Sequence, residues 1–204
     1  MTILLVRHGE TPLNVVRVLQ PADTRLSSRG VQQAQALARR LADMHIAAIV
    51  TSDLPRARQT GEFIAAATGA PVEITGLLRE RDFGDWRGRS YDTLPANPLL
   101  MVDAPPGGES AADFAARVAQ AFALIVQRAA AAPAAIAVVT HGLVVRAMLA
   151  AHIRLPASTV PPVHLGNTSL SVIDGRSPYT ASLVNCTRHL DLMIGDDLNA
   201  LSGG

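Results

Sequence analysis

Short apolar runs alternate along this chain with longer segments whose apolar residues recur every three or four positions. Ile3–Val6 is a continuous apolar run and reads as a buried strand. From about Ser28 to Ala42, Val31, Ala34, Ala38 and Leu41 share one face of a helix. Ala47–Val50 is a second strand. Asp53 stands where a short carboxylate caps a helix, here one running from about Leu54 to Thr68. Val72–Thr75 is a short third strand. Ser110-Ala111-Ala112-Asp113 opens a long helix in capping-box fashion, with Phe114, Val118, Ala121, Phe122 and Ile125 on its buried face. Ala135–Val139 is a strongly apolar strand, followed by a helix from about Leu143 to His152. Ser169–Ile173 and Ala181–Val184 read as the final strands.

This order predicts an α/β fold of three layers, α/β/α, with a mainly parallel central sheet covered on both faces. One domain is expected to span residues 1–204. The stretch from about Gly88 to Glu109 breaks the rhythm. It carries Pro95, Pro98, Pro105 and Pro106 and ends in Gly107-Gly108, which predicts a lid or substrate loop within the domain. Ligands of parallel sheets bind beyond the carboxyl ends of the strands. Arg7-His8, Thr51-Ser52 leading to Arg56, and His141 all follow such ends.

Composition narrows the function classes. Of 204 residues, 49% are hydrophobic and 17% charged, an ordinary globular balance. The formal net charge of +1 supplies no global field for nucleic acid or an anionic membrane, so neither partner is expected. The apolar start is short and interrupted at Arg7-His8, and Ala129–Val139 contains Pro133 and is too short to span a bilayer. Cys186 is the only cysteine, which excludes an intrachain disulfide and fits a reducing, cytoplasmic setting. Asn167-Thr168-Ser169 and Asn185-Cys186-Thr187 match the glycosylation pattern but carry no weight without a secretion signal. The chain is compatible with a monomer or a homodimer.

Candidate chemistry begins at Arg7-His8-Gly9-Glu10-Thr11. Neutral imidazole is a good nucleophile toward phosphorus, and guanidinium groups hold phosphoryl oxygens. Gly9 would let backbone amides approach an anion, and the nearby cations favour the neutral imidazole. A lone histidine after a strand is more often structural, so the motif alone leaves both readings open. Glu80 lies among Arg79, Arg81, Asp82 and Asp85 and by itself reads equally as part of a surface charge cluster. Arg58 competes with Arg56, and the spacing from Ser52 favours Arg56. His45, His152, His164 and His189 lack metal-ligand spacing. No metal or other cofactor is expected.

Taken in order, the motifs resemble a known family. Leu5-Val6-Arg7-His8-Gly9-Glu10-Thr11 with Asn14 is similar to the signature of the histidine phosphatases, phosphoglycerate-mutase-like branch. Leu26-Ser27-Ser28-Arg29-Gly30, Ser52-Asp53-Leu54-Pro55-Arg56-Ala57 and Leu78-Arg79-Glu80-Arg81-Asp82-Phe83-Gly84 resemble its following blocks. Gly107-Gly108-Glu109-Ser110 and Val138-Val139-Thr140-His141-Gly142 resemble the last two. The resemblance spans about residues 3 to 190.

It implies a phosphoglycerate-mutase-like fold and a role for each matching residue. His8 is the nucleophile that becomes phosphohistidine. Arg7, Arg56 and His141 surround the phosphoryl oxygens. Glu80 is the proton donor to the leaving oxygen, since Gly142 stands where the acid-phosphatase branch carries an aspartate. Asn14, Gln20, Arg81 and Gly142 fall at or beside substrate-contacting positions, although Pro21 replaces a common glycine. The run Glu80-Arg81-Asp82-Phe83 departs from the mutases' Glu-Arg-His-Tyr, and the chain is shorter than theirs. The reading is a metal-independent phosphomonoester hydrolase acting on a small phosphorylated substrate. The alternatives are a phosphoglycerate-type mutase, a non-catalytic phosphate-binding regulatory protein and a protein phosphatase.

Overall fold

The computed structural model describes all residues except 95–96, 158, 160–161, 163, 175 and 194–204. Pro95 of the expected lid, and the tail beyond Met193, therefore lie outside the described residues.

The first strand, β1 (Thr2–Arg7), is buried from Ile3 onward. Its alternating side chains serve two cores. Ile3 and Leu5 face one helical layer; Leu4 and Val6 face the other. After a short helix, α1 (Pro12–Val15), come α2 (Ser28–Leu41), β2 (Ile46–Ser52), α3 (Pro55–Thr68) and β3 (Val72–Thr75). Leu37 and Leu41 of α2 and Ala57 and Ile64 of α3 pack beneath Leu4, Val6, Ile49 and Val139. The long α4 (Ala111–Ala131), β4 (Ala135–Thr140) and α5 (Gly142–Ala151) follow. Val118, Ile125, Val144 and Met148 of these helices cover the opposite face, over Ile3, Leu5, Ile136 and Val138. Strands β5 (Leu170–Asp174) and β6 (Thr180–Cys186) complete the sheet.

Among the described residues the sheet has six strands in the order β3-β2-β4-β1-β5-β6. The β1–β4, β2–β3 and β2–β4 pairs are parallel, whereas β5 and β6 join antiparallel at one edge. The expected three-layer α/β architecture is therefore observed, with a mainly parallel sheet. Register decides the site. Arg7 pairs with Thr140, and Thr51 pairs with Val139, so β1, β2 and β4 end level. His8, Ser52 and His141 consequently leave the sheet side by side.

Two local expectations need correction. Asp53 does not cap α3. The N-cap is Leu54, without a side-chain cap bond, and Pro55 occupies the first turn, where a missing N–H costs little. Asp53 instead forms an ion pair with Arg79. Nor does Gly9 offer its amide to an anion. Its N–H donates to Thr60 Oγ1 at 3.1 Å. What this segment requires is close approach: a Cβ on Gly30 would lie 2.0 Å from the Glu10 carbonyl oxygen, and one on Gly9 would lie 2.7 Å from the Gly30 carbonyl oxygen. The start of α2 thus abuts the loop that carries His8, and Ser27 N donates to Glu10 O at 2.9 Å.

The clash at Gly30 is with backbone, which cannot rotate away. Gly30→Ala should cost about 2–3 kcal/mol, a melting temperature lower by roughly 5–10 °C. Gly61→Ala, in the middle of α3 with only ordinary contacts of 3.5 Å or more to Thr51, should instead be neutral or stabilising by up to about 1 kcal/mol. Thermal melts of the two variants check this.

Candidate active site

The pocket lies where β1 and β4 end, and Arg7, His8, Asn14, Gln20, Arg56, Glu80, Arg81 and Gly142 all line it. His141 is fully buried beside it, with its ring edge-on to that of His8 at 5.1 Å between centroids. The structure therefore gathers every residue singled out in the sequence within one small region.

His8 is fixed by backbone on both sides. Its N–H donates to Thr140 O at 2.9 Å, and its carbonyl accepts from Thr168 N and Asn167 Nδ2, both at 3.2 Å. Its Nδ1 lies 2.6 Å from the Gly9 carbonyl oxygen. A carbonyl only accepts, so Nδ1 carries the hydrogen and Nε2 carries the lone pair. Burial first, then the charges of Arg56 and Arg7, hold its pKa well below the usual 6.5. The ring is neutral at physiological pH, as a nucleophile must be.

The cations are buried too. Arg7 and Arg56 are each 3% exposed. Loss of water lowers the pKa of both to about 10, and the carboxyl of Glu80 opposes that shift. Both remain charged. Arg7 donates to the carbonyl of Leu165, and Arg56 Nη1 to that of Pro21 at 3.4 Å. Arg56 Nε and His141 Nδ1 are buried and make no hydrogen bond among the described residues. His141 Nε2 lies 2.9 Å from Ser52 Oγ. Where the Ser52 hydroxyl is the donor, His141 carries its hydrogen on Nδ1 and is a second buried donor beside His8. Its pKa is also held well below 6.5, by burial and then by Arg56. Buried donors without partners are costly in isolation, and an oxyanion between them removes that cost.

Glu80 stands opposite. Its Oε1 accepts from Arg81 N at 3.1 Å, and its Oε2 accepts from Leu143 N, in the first turn of α5, at 3.2 Å. Desolvation raises its pKa, opposed by the Leu143 N–H and then by Arg56. A carboxyl shifted this way can hold a proton for a leaving oxygen. Arg117 sets its position from α4, donating to the carbonyls of Leu77 and Arg79 at 2.9 and 2.8 Å and to that of Glu80 at 3.3 Å. Arg117 also pairs with Glu109 at 2.7 Å.

Not every candidate meets the pocket in the expected way. The guanidinium of Arg81 donates to the carbonyls of Met101, Asp103 and Glu109 at 2.7, 3.3 and 3.1 Å. Three of its five N–H donors thus tie the 88–109 segment to the domain, while the side chain still lines the pocket. Asn14 Oδ1 accepts from Thr11 N in the cap of α1 and from Asn167 Nδ2, so its amide nitrogen is left for a phosphoryl oxygen. Gln20 Oε1 accepts from Thr11 Oγ1 at 3.1 Å.

Sequence reasoning missed Asn167, Thr60, Tyr91, Arg117 and Arg146. Asn167 matched only a glycosylation pattern, yet it is 2% exposed and holds the His8 carbonyl, which rules out a glycan there. Arg146, which lines the pocket, follows Gly142 by one helical turn, a spacing that could have found it. Tyr91 and Arg117 carried no local signal. Among the described residues, no three His, Cys, Asp or Glu side chains converge as a metal site would need, and no helix is long and apolar enough to cross a membrane.

The depressed pKa of His8 has a consequence for stability. Its folded value lies below its unfolded value near 6.5, so the unfolded chain binds more protons as pH falls below 6.5. Its contribution is present above that pH and is lost below it, by up to about 1.4 kcal/mol per pH unit. Between pH 7 and 5.5 the wild type should therefore lose more stability than His8→Gln, which denaturant unfolding at each pH measures.

Known proteins share these features. The family model for the histidine phosphatase superfamily, branch 1, matches residues 3–185. A probable phosphoglycerate mutase GpmB of Erwinia tasmaniensis is 34% identical over 194 residues, covering 89% of each chain. A mycobacterial glucosyl-3-phosphoglycerate phosphatase, solved with VO3, superposes with a TM-score of 0.77 at 32% identity, covering 91% of this chain and 99% of that one. A putative alpha-ribazole-5'-P phosphatase of Escherichia coli superposes with a TM-score of 0.79 at 28% identity, covering 92% and 97%. With the family's motifs gathered in one pocket and its model matched over nearly the whole described domain, the chain belongs to the histidine phosphatase superfamily, branch 1.

Proposed function

We propose that this chain hydrolyses small phosphomonoesters through a phosphohistidine on His8, without a metal ion, in the cytoplasm. The observation that carries the reading is the bond from His8 Nδ1 to the Gly9 carbonyl, which leaves the lone pair on Nε2. The phosphoryl group sits among Arg7, Arg56, His141 and the amide of Asn14. Nε2 attacks phosphorus as the ester P–O bond breaks, and Glu80 passes its proton to the leaving oxygen. Glu80, now ionised, takes a proton from water as that water attacks the P–N bond. Phosphate leaves and His8 returns to its starting state. Arginines stabilise the charge on the equatorial oxygens, as metal ions do in other phosphoryl-transfer sites.

A second reading, a phosphoglycerate-type mutase, has the printed names of several relatives in its favour. In a mutase the phosphoryl group returns to bound substrate. Against it, three of the five N–H donors of Arg81 are taken by carbonyls of the 88–109 segment, which leaves fewer to clamp a substrate carboxylate.

Phosphate release from a panel of phosphomonoesters, with 3-phosphoglycerate included, separates the two. Release by wild type and none by His8→Ala supports the phosphatase; interconversion of 2- and 3-phosphoglycerate without release supports the mutase. Rapid quenching with labelled substrate should trap an acid-labile phosphoryl group on the wild type that His8→Ala lacks. Glu80→Gln should slow turnover of alkyl phosphates by about 10²–10⁴-fold, and that of p-nitrophenyl phosphate far less, because its leaving group needs no proton. Equal losses on both would remove Glu80 from the role of acid. A chelator should leave the rate unchanged.

A further inference from the structure

Charged and polar groups make only part of the pocket lining. Much of the remaining wall is made by Leu19, Leu54, Phe83, Leu99, Leu143 and Leu165. These come from six separate segments: three loops, the N-cap of α3, the turn Pro98–Leu100 and the first turn of α5. Leu19 and Phe83 are 2% and 5% exposed, yet neither belongs to either of the two core layers that flank the sheet. Their burial is spent on the wall of this cavity.

Three of the polar groups on the same lining already have partners. Arg81 is held by the carbonyls of the 88–109 segment, and Arg87 is paired with Asp82 at 2.7 Å. Gln20 Oε1 accepts from the Thr11 hydroxyl. The charge of Arg146 is felt at Arg7, that is, at the phosphoryl end. Tyr91 adds a ring, steadied by the Arg17 guanidinium 5.5 Å from its centroid. That ring is fixed over the pocket because residues 17–19 and 88–91 form a short two-stranded strap: Tyr91 N donates to Arg17 O at 3.0 Å and Leu19 N to Arg89 O at 2.9 Å.

We propose that the site takes phosphomonoesters of uncharged, mainly apolar alcohols, alkyl or aryl phosphates, in preference to carboxylated or polyhydroxylated ones. The proposal rests on the phosphatase reading above. The phosphoryl end is read by charge and the alcohol end by burial of apolar surface, which is non-directional and grows with chain length. In the reaction the P–O bond to the alcohol breaks, P–Nε2 forms, and the Glu80 proton goes to the alkoxide. Water then releases phosphate, so ester and water give alcohol and phosphate.

The experiment is a kcat/KM series on ethyl, propyl, butyl and hexyl phosphate, beside glycerol 3-phosphate, 3-phosphoglycerate and p-nitrophenyl phosphate. From ethyl to butyl, kcat/KM should rise about two- to fourfold per methylene. Glycerol 3-phosphate and 3-phosphoglycerate should fall at least about tenfold below butyl phosphate. Leu99→Asn and Leu54→Asn, on the partly exposed wall, should flatten the slope of the series. A flat series in the wild type, a preference for 3-phosphoglycerate, or a slope unchanged in both variants would overturn the proposal while leaving a phosphatase. Release of phosphate from none of the esters, p-nitrophenyl phosphate included, would overturn the phosphatase reading beneath it as well.

Discussion

Two guanidinium groups are held almost wholly out of water beside a neutral imidazole, and the rest of the fold is arranged around the cost of doing so. The pKa of Arg7 and of Arg56 is lowered to about 10, chiefly by burial. The carboxyl of Glu80 offsets part of that cost. Backbone carbonyls of Leu165 and Pro21 take some of the donors. Arg56 Nε, and His141 Nδ1 where it carries the hydrogen, make no hydrogen bond among the described residues, and an oxyanion would supply a partner. Such preorganised charge needs little rearrangement when a phosphoryl group arrives.

That arrangement persists because the sheet beneath it is stiff. β1 lies between β4 and β5, with both faces of its apolar run packed under helices. Close-packed interiors transmit small displacements, so the level ends of β1, β2 and β4 hold His8, Ser52 and His141 in register. The close approach of Gly9 and Gly30 then brings the start of α2 against the loop after His8. Glu80 is positioned by a separate device. Arg117 reaches from α4 to the carbonyls of Leu77, Arg79 and Glu80 and to Glu109, while Arg81 ties down the 88–109 segment. Arg117 and Arg81 thus shape the backbone around Glu80 and the pocket.

Most of the fold and the reactive core of the site were legible in the amino-acid sequence. Strand and helix periodicity located the strands and the longer helices to within a residue or two, whereas the short α1 fell in a stretch read as loop. Arg7, His8 and Arg56 stand in short motifs at or just beyond strand ends, and Glu80 in one a few residues after β3, where local order and chemistry coincide. Asp53 was misread as a cap, because a capping signal is local whereas its attraction to Arg79 is made across the fold. Gly9 was misread as an anion-binding position, because the backbone it must accommodate belongs to Gly30, some twenty residues further on.

The sequence by itself determined the order of elements, the two cores and the kinds of side chain available for phosphoryl transfer. All of these follow from periodicity and residue chemistry. Tertiary structure alone decided which nitrogen of His8 carries the lone pair, since that depends on the direction of the Gly9 carbonyl. It also decided that Arg81 holds the 88–109 segment and that Asn167 holds His8, and it brought six scattered apolar side chains onto one wall. Those outcomes depend on distances between residues far apart in the chain, and no local pattern encodes such distances.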